Sequence, residues 1–198
     1  MNDGAKFIEA VENNNIDLVL QMIDAVRNDP EELYKLLEAR KTTNSLRTTP
    51  LIIAVKEKYT EIIKILLDAG RTFTLTEQHV NSTTNGGISP LYLAVKNKDI
   101  PTIQLLIEYG ADINKKNVNG ISILDLAIKA KNKEIVDILI DAGAQMKPLR
   151  IFYDVVENEQ LQISPEELEE LLKNDLIDLD EINKSEYPHH NILTYILD

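Results

Sequence analysis

The chain has 198 residues, 43% of them hydrophobic, no cysteine and a net charge of −12. Disulfides, thiolate metal sites and thiol catalysis are excluded, and the acidity argues against nucleic-acid binding, which needs a basic face to displace phosphate counterions. No apolar run approaches the roughly 20 residues that span a bilayer, and Met1-Asn2-Asp3-Gly4 lacks the basic-then-apolar plan of a signal peptide, so a cytoplasmic setting without a membrane partner is expected.

In chain order, Phe7-Ile8-Glu9-Ala10-Val11 predicts a helix near 5–13, with Leu18-Val19 opening a second. Asp29-Pro30-Glu31-Glu32 then supplies an N-cap, a first-turn proline and acids suited to the helix dipole, so an extra helix follows through Leu37. Thr49-Pro50-Leu51-Ile52-Ile53-Ala54-Val55 predicts a helix near 49–57, and Ile62 to Leu67 predicts its partner, closed by a left-handed Gly70. About seven extra residues, Arg71 to Glu77, precede His79-Val80-Asn81, which read as part of a hairpin.

Ser89-Pro90-Leu91-Tyr92-Leu93-Ala94-Val95 repeats the capped phrase near 89–97, and Ile103 to Ile107 runs on to Gly110. Asp112 to Gly120 is extended and turn-rich, with Asn119-Gly120 marking a hairpin turn. The phrase returns as Ser122-Ile123-Leu124-Asp125-Leu126-Ala127-Ile128, near 122–130, followed by Ile135 to Ile140 and Gly143. Phe152 to Asn158 echoes Phe7 to Asn13 and predicts a helix near 149–157. Ser164-Pro165-Glu166-Glu167 forms a capping box for a further outer helix, and 191–198 opens one more inner helix.

Self-similarity near 33 residues is the mark of a stacked repeat array. Ala54, Ala94 and Ala127 are its register marks, spaced 40 and 33, with weaker marks at 10, 155 and 196. One elongated domain over 1–198 is expected, with units at roughly 4–40 (carrying the inserted helix), 48–77, 78–111, 112–144, 145–176 and a partial 178–198.

Thr49-Pro50-Leu51 and Ser89-Pro90-Leu91 resemble the Thr-Pro-Leu-His signature of ankyrin repeats, and Gly110-Ala111-Asp112-Ile113-Asn114 resembles the Gly-Ala-Asp-Val-Asn of that family. The resemblance is strong over 48–144 and more divergent before and after. It implies an all-α solenoid of stacked antiparallel helix pairs with short projecting β-hairpin loops, whose concave surface binds other proteins. Ile52, Tyr92 and Asp125 stand where the family has histidine, so the usual histidine bond to the capping hydroxyl is lost.

Catalysis has no supporting constellation: there is no nucleophile elbow and no glycine-rich phosphate loop. His189-His190 lacks a spaced third ligand, and no cofactor or metal is expected. Glu166, Glu167, Glu169 and Glu170 read as a solvated helix face, with a contact for a basic partner, or part of an acidic sorting signal, as the alternative. Lysines recur in one register at the ends of the inner helices: Lys56 with Lys58, Lys96 with Lys98, Lys129 with Lys131. The second of each pair falls where the family commonly has glycine, so favourable charge at a helix C-terminus does not fully explain it. The expected function is therefore a non-enzymatic, monomeric module that binds a partner protein through inner-helix and hairpin residues Lys56, Tyr92, Lys96, Lys115, Lys116, Asn119 and Lys129. The alternative is a targeting or regulatory segment of a larger protein, such as a secreted bacterial effector acting on host proteins in the host cytosol, with any activity beyond Asp198.

Overall fold

The computed structural model describes residues 3–43, 46–71 and 76–145. Helices α1 (Asp3–Glu12), α4 (Pro50–Glu57), α7 (Pro90–Lys96) and α9 (Ile123–Lys129) pack one on the next as an inner row. Each is followed by an antiparallel outer partner: α2 (Ile16–Ala25), α5 (Thr60–Arg71), α8 (Ile100–Glu108) and α10 (Lys133–Asp141). The expected helices near 149–157 and 191–198, the capping box at Ser164, the glutamates that follow it, the register marks at 155 and 196 and the histidine pair lie outside the described residues.

The inner helices α4, α7 and α9 start where the sequence says they should, while α1 begins two residues before the expected start. Thr49, Ser89 and Ser122 accept hydrogen bonds through their hydroxyls from the amides of Ile52, Tyr92 and Asp125, at 3.3, 3.1 and 3.0 Å. These bonds satisfy amides that have no partner within the helix. At Ser122 the aspartate replacing the family histidine closes a capping box, its carboxylate accepting from the Ser122 amide at 3.0 Å. The outer helices use Asn15, Asp99 and Asn132 in the same way.

The register alanines Ala10, Ala54, Ala94 and Ala127 are at most 2% exposed. A methyl group there lets successive inner helices approach closely, while Leu51, Leu91, Ile62, Ile63, Leu66, Ile103 and Leu106 fill the space between layers. Hairpins join the units. Strands β1 (Lys41–Thr43) and β2 (Leu46–Thr48) pair antiparallel, and Lys116 bridges Ser122 in the same sense. The later loops are three residues long: Thr84 and Asn117 donate their amides to Ile88 and Ile121, and Gly87 and Gly120 close the loops at φ of 70° and 75°. Asn119-Gly120 thus forms the last two positions of a three-residue hairpin loop.

The extra helix α3 (Pro30–Leu37) forms where expected, capped by Asp29, and packs against α1 and α5. The second insertion departs from expectation. Gly70 does not end α5 in a left-handed conformation but lies inside it, buried, and Thr76–Val80 forms a short helix, α6, instead of a hairpin arm. The reason is His79, 1% exposed, whose Cδ2 would sit 3.3 Å from a β-carbon at position 70. Glycine at 70 makes room for the imidazole, which outweighs the helix cost of about 1 kcal/mol.

Candidate functional site

The inner row and its hairpins carry all seven residues expected to meet a partner, and the structure divides them. Lys56, Lys96 and Lys129 occupy the last turns of three successive stacked helices and are exposed. Stacking at about 8–10 Å per helix sets them as rungs of one ladder. Lys56 lies 2.8 Å from the Glu57 carboxylate, and this hydrogen bond raises its pKa above the ordinary lysine value. Among the described residues, no ion pair engages Lys96 or Lys129.

The companion lysines make the turns between inner and outer helices. Lys58, Lys98 and Lys131 adopt φ of 60°, 54° and 51°, as does Asn14 at 50° in the first unit. Left-handed backbone of this kind is ordinarily given to glycine. Lys58 also donates to the Asn97 carbonyl at 3.4 Å, and Asn97 Nδ2 donates back to the Val55 carbonyl at 3.4 Å, so two neighbouring units are clasped at this edge.

On the hairpin side, Tyr92 is half-buried and its hydroxyl accepts from Asn117 Nδ2 at 3.4 Å. Lys116 and Asn119 are exposed. Lys115 is different. Its ammonium donates to the Asn81 carbonyl at 2.7 Å, so it ties one hairpin base to the next and is not free for a partner in this arrangement. Asn81 and Asn114 act as matched struts. Each donates to a helix-ending glycine carbonyl (Gly110 at 3.2 Å, Gly143 at 3.3 Å) and accepts from an amide two residues beyond it (Asp112, Gln145).

Val118 is the residue that sequence reasoning missed. It is 69% exposed at a hairpin tip, between the buried Asn117 and the exposed Asn119. The signal was available: an apolar side chain inside an otherwise polar turn has no core to enter. Below the hairpins, a depression of about 340 Å³ lies between α1 and α4, floored by Ile52 and Ile53 and rimmed by Glu12, Lys41, Lys56 and Tyr59. Ile52, at the family's histidine position, is 1% exposed and serves this floor. Glu12 and Lys41 form an ion pair across its mouth.

Among the described residues no three histidine, aspartate or glutamate side chains gather as metal ligands, and no helix is long and apolar enough to cross a membrane. The geometry is that of a repeat scaffold presenting a broad surface of charged helix ends and hairpin tips. The family described as ankyrin repeats, in three copies, matches residues 7–117 and 71–149, more than half of the chain, and the chain belongs to that family. It is also similar to the ankyrin repeat-containing protein YGL242C of Saccharomyces cerevisiae, 28% identical over 120 residues. That match covers 58% of this chain and 63% of the yeast protein, so the chain spans less than two thirds of that relative's length. Ankyrin repeats are in general protein–protein interaction modules, and the family is typically non-enzymatic.

Proposed function

We propose that this protein binds an acidic patch of a partner protein across its inner-helix ends and hairpin tips. The observation that carries the reading is the pair of exposed cations, Lys96 and Lys129, in one register on adjacent stacked helices and without an ion-pair partner among the described residues. Lys56 extends the row, while Lys116, Asn119 and Val118 extend the surface onto a hairpin. Exposed Val118 would be the apolar anchor and the lysines the steering charges, a division common at interfaces. Tyr92 would line the surface between them. Lys115 would contribute through its neighbours, since its ammonium already has a partner.

The test is association kinetics with an acidic partner captured by pull-down. Neutralising Lys56, Lys96 and Lys129 together should slow association severalfold, with the gap closing as salt shortens the screening length to about 8 Å and below. Unchanged association, with binding lost instead when Glu166, Glu167, Glu169 and Glu170 are neutralised, would move the interface to the acidic C-terminal segment.

A further inference from the structure

The inserted helix α3 creates a second surface, which shares Glu12 and Lys41 with the depression beside Lys56. Between α1 and α3 lies a groove of about 1060 Å³, floored by Ala5, Ile8, Leu36 and Ala39. Its size is just above the upper end, about 1,000 Å³, of ordinary ligand clefts. The ordinary repeat has nothing that could form its second wall, because α3 belongs to the insertion between α2 and the first hairpin.

The charges around this groove are unequal in a specific way. Three cations line it, and each is already held: Lys41 by Glu12, Lys35 by Glu31 and Glu32, and Arg40 by Glu38. Two lining carboxylates, Asp3 and Glu9, stand on α1 with no ion pair among the described residues, and Lys6, one turn from each, pairs with neither. Lys6 lies outside this groove, on the α1–α2 side that Asp3 and Glu9 also border, so an incoming anion would meet no free cation among the groove's own lining residues. A cation would meet two free carboxylates two turns apart beside an apolar floor.

From this we infer that the α1–α3 groove docks a basic amphipathic helix of another protein. A helix fits better than an extended strand, because both walls are helices whose backbone groups are bonded internally, leaving a strand's amides and carbonyls without partners. From Asp3 to Glu12 the wall is about 14 Å long, enough for roughly ten helical residues. Such a helix would set apolar residues at i, i+3, i+4 and i+7 into the groove and direct its lysines or arginines at Asp3 and Glu9. A second copy of this chain and an anionic lipid surface are both disfavoured by the net charge of −12.

The test uses the full chain and a fluorescein-labelled leucine–lysine amphipathic peptide of about 12 residues, with a leucine–glutamate peptide as its counterpart. Anisotropy titrations would compare wild type with three variants. Asp3→Asn/Glu9→Gln removes the free carboxylates, both exposed on α1. Ala5→Trp fills the groove from an exposed position without changing charge. Neutralising Glu166, Glu167, Glu169 and Glu170 controls for general attraction of a basic peptide to an acidic chain. The inference expects the lysine peptide to bind and the glutamate peptide not to. It also expects a loss of about fivefold to tenfold in the carboxylate variant, a comparable or larger loss in Ala5→Trp, and little change in the glutamate control. Binding that survives Ala5→Trp unchanged, or is lost in the glutamate control instead, would overturn it. So would dimerisation or binding to anionic vesicles that Ala5→Trp abolishes while peptide binding is absent. Matching circular-dichroism melts establish that each variant is folded, and the charge and steric variants report independently.

Discussion

His79 Nδ1 lies 3.1 Å from the Glu38 carboxylate, and this contact joins the two insertions that interrupt the repeat period. Glu38 follows α3 and His79 lies in α6, so the irregular segments are one structural unit although 41 residues separate the partners. Arg40 completes the cluster, donating to Glu38 at 3.1 Å and to the Thr83 carbonyl at 2.9 Å. The other imidazole nitrogen, Nε2, is buried without a hydrogen-bond partner among the described residues. Placing a ring there costs some desolvation, which the Glu38 bond and the close packing over Gly70 offset.

Removing either partner should therefore unsettle both insertions. His79→Ala is expected to cost about 2–4 kcal/mol, from a cavity and a carboxylate left short of a donor. Glu38→Ala should cost about 1–3 kcal/mol, because it strands His79 and Arg40. A double-mutant cycle by urea unfolding should give a coupling of at least about 0.5 kcal/mol. Additive losses would mean that the two insertions are not joined through this pair.

Gly87 and Gly120 separate two reasons for a glycine. Both close three-residue hairpin loops with positive φ, but only Gly87 is crowded. A β-carbon there would lie 3.0 Å from the Asn117 α-carbon and the Val118 nitrogen, whereas no atom of the described residues lies within 4 Å at Gly120. Gly87→Ala should push adjacent hairpins apart and weaken the bond from the Val118 amide to the Gly86 carbonyl, now 3.1 Å. It is expected to destabilise by about 1–2 kcal/mol more than Gly120→Ala, which bears only the left-handed strain. Equal unfolding midpoints would show that the hairpins are not packed at this point.

Tyr109 offers a pH test. Its phenol donates to the Asp68 carboxylate, and this bond, with burial and the negative charge, raises its pKa above the ordinary value. Arg71 sits 4.4 Å above the ring centre and opposes the shift. A raised folded-state pKa means that the protonated phenol is favoured by folding. Its contribution is fully present below the unfolded value of about 10 and disappears as the pH rises through the folded value. Tyr109→Phe keeps the ring under Arg71 but loses the bond, so it should be less stable by about 1 kcal/mol near neutrality. That gap should close as the medium becomes strongly alkaline. A gap that stays constant across this range would show that the Asp68 bond contributes nothing.

The repeat grammar was legible because it rests on local chemistry. A hydroxyl at Thr49, Ser89 or Ser122, a proline or apolar residue next, and an alanine one turn on dictate where each inner helix begins and which face is buried. Asp29-Pro30 revealed α3 for the same reason. What escaped depends on contacts between distant segments. Gly70 looks like a helix end until His79 is known to pack over it. Thr76-Glu77-Gln78-His79-Val80 has no strong helical pattern, and becomes helical where His79 meets Glu38. At the candidate site, the lysine register was readable from spacing. The capture of Lys115 by the Asn81 carbonyl and the exposure of Val118 depend on how neighbouring hairpins fold.

The left-handed lysines give a last test, in which stability and binding are separated. Lys98 and Lys131 hold φ of 54° and 51°, a conformation costing an ordinary residue roughly 1 kcal/mol or more. Glycine removes that cost but loses about 0.5–1 kcal/mol through its greater freedom when unfolded. Lys98→Gly and Lys131→Gly should therefore leave stability within about 1 kcal/mol of wild type, with any change tending toward stabilisation. Lys58→Gly should gain least, because Lys58 also bonds the Asn97 carbonyl of the next unit. By contrast, Lys98→Val should be destabilised by about 1–2 kcal/mol, since a β-branched side chain tolerates positive φ poorly. Urea unfolding distinguishes these outcomes. If Lys98→Gly falls as far as Lys98→Val, the lysine stem is itself part of the packing. If the glycine variants are as stable as wild type yet bind the acidic partner more weakly, the fold does not require lysine at these turns, and their charge belongs to the binding surface.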